Sequence, residues 1–327
     1  MSARWLIVLV GALVALAFVS LLAGSVWMTP GEVIQALAAP RDSLARLIVI
    51  EVRLPRVVLA VLVGGILGLS GAVLQGLLRN PLAEPGLLGV SSGASLGAVI
   101  AIYYGFAASF GLATPVFAMV GALVTAGVAF ALSRRGGTLS LILAGVAMSS
   151  IAGAGVSLAL NLAPNPFAAY EIMTWLMGSL RDRSWDHVLL AGPFIAVGAA
   201  LLLLTGRALD ALTLGEAQAE SLGVHLGRAR LFALLGTALG VGAATAVTGA
   251  IGFVGLVAPH IVRPLVGHRP GATLLPAAIV GALVVLAADL ATRILDFGTE
   301  IHLGVFVSVI GAPFFLWLVL HVRRTAP

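Results

Sequence analysis

The chain has 327 residues, 60% of them hydrophobic and 9% charged, with a mean hydropathy of +1.13 and a formal net charge of +5. So little charge cannot cover a water-soluble surface of this size, which excludes a soluble globular enzyme, and the scattered arginines read as membrane orientation with no nucleic-acid surface. Cysteine is absent and all 18 basic residues are arginine, which removes disulfides, thiolate metal sites, Schiff bases and any phosphate loop that needs a lysine.

Crossing a bilayer as helix takes about 20 apolar residues. The hydropathy pattern predicts an all-α, polytopic membrane protein of ten spans: 5–27, 57–78, 92–108, 113–133, 138–162, 187–206, 228–249, 251–267, 274–295 and 303–322. They form one transmembrane domain over residues 1–327. In the first span the apolar run after Arg4 continues to Trp27 without a small-residue cleavage site, which reads as an anchor and not a signal peptide. Arg53 and Arg56 precede the second span, one helical turn apart and so on one face. "RNPLAEPGLLGV" (79–90) follows it; Pro81 and Pro85 break helix geometry, and Glu84 between them is expected to cap the third span or to pair with Arg79. "SRRGGTLSL" (133–141) turns the chain between the fourth and fifth spans.

The longest polar stretch is "DALTLGEAQAESLGVHLGRAR" (210–230), within a segment of about 207–228. Thr213 and Glu216 have capping-box spacing and Gly223 is a helix stop, so a short helix is predicted over about 214–222. Its small residues, Gly215, Ala217 and Ala219, suit it to lie in a partner's groove. In the ninth span Asp289 is costly in lipid unless paired, and Arg293, one turn on, is the expected partner.

Ten spans put both termini on one side. With the termini in the cytoplasm, eleven arginines lie inside and seven outside: Arg41, Arg46, Arg53, Arg56, Arg181, Arg183 and Arg293. This bias satisfies the positive-inside rule and sets the expected orientation. Spans 2–5 and 7–10 then run in opposite directions, as inverted repeats do. The six histidines (His187, His225, His260, His268, His302 and His321) have no ligand spacing on one helix face, so no metal site is expected. His260 and Arg263 share a face and are expected to touch the polar 207–228 segment. No catalytic motif is present, and the chain is not expected to be an enzyme.

The stretch "RLPRVVLAVLVGGILGLSGAVLQGLLRNPLAEPGLLGVSSGASLGA" (53–98) strongly resembles the FecCD-type permeases, membrane subunits of importers for iron–siderophores, haem and cobalamin. "LILAGVAMSS" (141–150), "WLMGSL" (175–180), "LGEAQAESLGV" (214–224), "GAIGFVGLVAPHIVR" (249–263) and "GAPFFLWL" (311–318) match further, in the family's order over nearly the whole chain.

The resemblance implies a homodimer in the bacterial inner membrane, two copies of a separate cytoplasmic ABC ATPase that carries the ATP and Mg, and a periplasmic substrate-binding protein. No cofactor is expected in this chain. It further implies docking of the binding protein at Arg53, Arg56 and Arg293, and ATPase coupling through Leu214, Gly215, Glu216, Ala217, Ala219, Leu222 and Gly223. The inner gate falls at Gly136, Gly137 and Thr138. The cargo is a metal chelate, an iron–siderophore or haem ahead of cobalamin. Met148, Met173 and Met177 read first as packing residues, with contact to a macrocycle as the alternative. The rival reading is an ion-coupled secondary transporter, for which Asp289 is the one intramembrane coupling carboxylate on offer.

Overall fold

Lipid offers no water to satisfy backbone N–H and C=O groups, so a crossing segment must close its own hydrogen bonds as helix. The computed structural model describes residues 3–24, 26–40, 42–110, 112–133, 137–295 and 301–325. The helices are α1 (Ala3–Leu22), α2 (Pro30–Ala38), α3 (Leu44–Leu77), α4 (Val90–Tyr103), α5 (Ala113–Ser133), α6 (Gly137–Asn161) and α7 (Pro166–Leu176). There follow α8 (Trp185–Leu203), α9 (Gly206–Leu212), α10 (Glu216–Ser221), α11 (Leu226–Thr248), α12 (Val254–Val262), α13 (Pro270–Ile294) and α14 (Leu303–Thr325). Among the described residues seven helical stretches are long and apolar enough to cross a membrane, and three shorter apolar ones, Val90–Tyr103, Val254–Val266 and Leu303–Trp317, stand at the remaining expected spans.

The helices pack through small residues, because in lipid only close approach of backbones distinguishes a neighbouring helix from an acyl chain. On α3, Gly64 and Gly68 lie one turn apart against Ala277 and Gly281 of α13; a Cβ at Gly68 would run into the Ala277 carbonyl oxygen. Gly93 and Gly97 of α4 meet Gly121 and Phe117 of α5 in the same way, and Gly198 of α8 meets Gly236 and Gly240 of α11. These seams place α3 and α11 at the centre of the bundle, mostly buried, while α1 lies at its edge, packing Leu9, Leu13, Leu16 and Leu21 on the core and turning Ile7, Val8 and Val14 outward.

Several boundaries differ from the sequence reading. α1 ends at Leu22, not Trp27, and the chain turns into α2, an additional helix begun by a Thr29–Glu32 capping box with Pro30 at its first position. The second span begins at Leu44, not residue 57. Pro55 does not stop it, because residues Ile48–Arg53 widen into a π-helical turn, in which the Leu54 N–H bonds to the Val49 carbonyl. Widening to i→i+5 accommodates a proline that would clash with regular α geometry.

Candidate functional site

One end of the bundle gathers arginines. Asp289 of α13 is fully buried, and Arg56 of α3 meets it side-on, Nε to Oδ1 at 2.9 Å and NH2 to Oδ1 at 2.8 Å. Arg293, one turn along α13, places NH2 3.0 Å from the other carboxylate oxygen. Two guanidiniums on one carboxylate are what a charge withdrawn from water requires. Arg293 also donates from NH1 to the Ser20 and Ala23 carbonyls, both at 3.0 Å, and from NH2 to the Ser20 hydroxyl. Arg53 donates to the carbonyls of Leu21, Leu22 and Val26 at 2.6, 3.0 and 2.5 Å. The open C-terminal carbonyls of α1, where the helix dipole is negative, thus receive two cations.

Of the three arginines expected to dock a partner, Arg53 is 6% exposed and held by α1, Arg293 is shared between α1 and Asp289, and Arg56 keeps 20% of its side chain open. Glu51, two residues before Arg53, forms no ion pair with Arg53 or Arg56 among the described residues; Arg53 turns inward onto α1 and Arg56 onto Asp289. All three line a cavity of about 510 Å³ together with Arg181, Arg183 and His302. The loop of Ser179–Ser184 closes one side of it, anchored by Ser179 N–H to the Thr248 carbonyl at 2.7 Å and by the Trp185 indole N–H to the Ile50 carbonyl at 2.9 Å.

The opposite end carries the polar 207–228 segment. The short helix there is α10, Glu216–Ser221, narrower than the expected 214–222. Thr213 does not form the expected capping box with Glu216; its hydroxyl donates to the Asp210 carbonyl at 2.7 Å, closing the end of α9, while Glu216 pairs with Arg230 at 2.8 Å. Gly215 sits at φ +116 and Gly223 at φ +82, conformations that only glycine adopts readily, so both ends of α10 are set by glycine. Ala219 is buried beneath the helix, Ala217 is exposed, and Leu214 and Leu222 are 63% and 65% exposed. Two large apolar side chains thus stand exposed on either side of this short helix.

Arg79, in a left-handed conformation at the end of α3, donates from Nε and NH2 to the Leu212 carbonyl at 3.0 and 2.5 Å. One turn earlier the buried Gln75 donates to the Gly255 and Leu256 carbonyls of α12 and accepts from Arg263. The last turn of α3 therefore holds both the polar segment and α12. Glu84 makes neither of its expected contacts among the described residues: its side chain caps no helix, and Arg79 is engaged at Leu212. The polar bonds of His260 and Arg263 go elsewhere, His260 to the Leu256 carbonyl of its own helix and Arg263 to Gln75, while Arg263 lines one cavity with Thr213 of the 207–228 segment.

Between the two ends, Met173 and Met177 line an open apolar groove of about 740 Å³ with Gly252, Gly304, Ser308 and Val309. Met148 stands apart, against the turn at Gly89. Gly137 and Thr138 open α6, and Gly136 lies outside the described residues. Among the described residues no group of acidic, histidine or cysteine side chains is arranged to hold a metal ion.

The sequence model of the FecCD transport family matches residues 12–321. The chain belongs to the FecCD transport family. It is 43% identical over 283 residues to the hemin transport system permease protein HmuU of Yersinia pestis, covering 84% of each chain. It is 38% identical over 324 residues to the vitamin B12 import system permease protein BtuC of Klebsiella pneumoniae, covering 98% of this chain and 95% of that one. A solved structure of a metal-chelate type ABC transporter in an inward-facing conformation superposes with a TM-score of 0.86 at 33% identity, over 97% of this chain and 99% of the other.

As a FecCD-family chain this is a multi-pass permease of the ATP-binding-cassette import type. Membership also disposes of the secondary-transporter reading, and the geometry agrees: Asp289 is clamped by two arginines and is not open to carry an ion. Gln75 and Arg183 escape the sequence reading. A lone amide inside an otherwise apolar span is the signal that marks Gln75; Arg183 is indistinguishable in sequence from other loop arginines.

Proposed function

We propose that two copies of this chain form the membrane pathway of an importer that carries a metal chelate across the bacterial inner membrane. Both termini lie in the cytoplasm, and the α10 face seats two copies of an ABC ATPase that binds ATP and Mg. A periplasmic binding protein docks over the arginine mouth at Arg53, Arg56 and Arg293, and Gly136, Gly137 and Thr138 form the inner gate. The observation that carries the reading is the opposition of two chemically different ends: a cavity ringed by arginines at one, and a glycine-bounded helix with exposed Leu214 and Leu222 at the other. The apolar Met173–Met177 groove supports a cargo with a broad nonpolar face, an iron–siderophore or haem ahead of cobalamin. The test is reconstitution of the chain with its ATPase and binding protein in liposomes. ATP-driven uptake of one of these chelates is expected, with no nucleotide bound by the isolated chain; saturable ATP binding to the chain alone would overturn the division of labour.

A further inference from the structure

The mouth cavity is lined by five arginines, Arg53, Arg56, Arg181, Arg183 and Arg293. Arg53 is taken up by α1 carbonyls, and Arg56 and Arg293 share Asp289. Arg181 lies 3.7 Å from the exposed Asp182 carboxylate. Arg183 differs from all of these: its Nε is buried and has no hydrogen-bond partner. Among the described residues the other buried side-chain polar atoms without partners are the hydroxyls of Ser70 and Thr237, which are neutral. Burial without such a partner lowers the affinity of Arg183 for its proton, with Asp182 offsetting only part of the cost.

A buried polar atom left unpaired is costly, the more so on a charged group, and Arg183 as a whole is half-buried and lines the cavity. The loop nevertheless holds Arg183 in place. Its two ends are pinned by the Ser179–Thr248 and Trp185–Ile50 bonds, and Asp182 is fixed at φ +56. We propose that Arg183 is a fourth docking arginine, completed by a carboxylate side chain that the binding protein inserts into the cavity. This rests on the docking reading above and deepens it. A guanidinium offers paired donors that match a carboxylate in plane, and the arginine-rich cavity draws an anion toward it. A carboxylate on a docked protein fits better than a free ion, because the surrounding interface already bears the cost of ordering it.

The experiment uses the full transporter, this chain with its ATPase in nanodiscs, and measures the dissociation constant of the binding protein at two ionic strengths. Arg183→Gln is expected to weaken docking about tenfold or more. Arg183→Lys is expected to recover part of it, since an ammonium restores charge but not the planar fork. Unchanged affinity in Arg183→Gln, with Arg56→Gln weakened, overturns this proposal and leaves docking at the mouth standing; no change in either overturns docking itself. Unchanged docking with slower transport of an anionic chelate would assign the site to the cargo and also overturn it. If Arg183→Gln does not assemble, Arg183→Glu is paired with acidic-to-arginine changes on the binding protein. Restored affinity in one such pair supports the contact, and failure in all of them refutes it.

Discussion

Arg56 and Asp289, 233 residues apart in sequence, are joined through Nε and NH2 of the guanidinium to a carboxylate with no exposed surface. Because Arg293 grips the same carboxylate, removing the negative charge strands two cations at once. Asp289→Asn is therefore expected to cost about 3–5 kcal/mol. Adding Arg56→Gln to it should cost less than the separate losses summed, with a coupling energy of about 1–3 kcal/mol. Thermal unfolding of the four variants in detergent measures this, and strict additivity would show the pair to be energetically idle.

The α3–α13 seam predicts a position-specific intolerance. Gly68→Leu would drive a side chain into the Ala277 backbone, whereas a Cβ added at Gly11 of α1 would meet nothing within 4 Å. Gly68→Leu should lose about 3 kcal/mol or more of stability, and Gly11→Leu should be silent. Size-exclusion profiles and melting points of the two variants read the difference; equal behaviour would mean that the seam is loose.

The α10 face makes a separable prediction. Leu214→Asp with Leu222→Asp changes only exposed side chains, so the chain should fold and reach the membrane while the ATPase no longer co-purifies. Gly215→Trp should instead leave the subunits together but abolish transport, because φ +116 is strained for any side chain and the new one would meet Gln218. Normal transport in both variants would remove α10 from the coupling machinery.

Arg79 and Gln75 tie that face to α12, so loosening them should waste ATP. Arg79→Ala frees the Leu212 carbonyl, and Gln75→Leu frees Arg263 and two α12 carbonyls. In the reconstituted transporter each is expected to lower cargo moved per ATP hydrolysed several-fold, with hydrolysis continuing. Hydrolysis and transport falling in parallel would argue for simple misfolding.

Where an apolar run ends at residues that cannot stay in lipid, the sequence marks the helix closely. The fourth and fifth spans, expected at 113–133 and 138–162, are Ala113–Ser133 and Gly137–Asn161. It misses the start of α3, because Glu51, Arg53 and Pro55 resemble a loop and a π-turn has no sequence signature. Thr29, Pro30 and Glu32 do carry a readable start signal for α2, overlooked beside a long apolar run. At the site, the Asp289–Arg293 pair follows from helix spacing, while Arg56 joins it only through the tertiary fold. The Arg53 contacts are to backbone carbonyls, which every residue possesses, so no pattern of side chains announces them.

The capping of α1 by Arg53 and Arg293 also bears on biogenesis. The Ala23 carbonyl leaves the ribosome 270 residues before the guanidinium that will satisfy it. At ordinary rates of synthesis that interval lasts on the order of 15 to 50 s. α1 therefore enters the bilayer with part of its carbonyl end still wanting a donor, and Arg53 reaches it first. Only when α13 has been inserted can Arg293 complete the end, so the latch on the earliest helix is set by nearly the last one made.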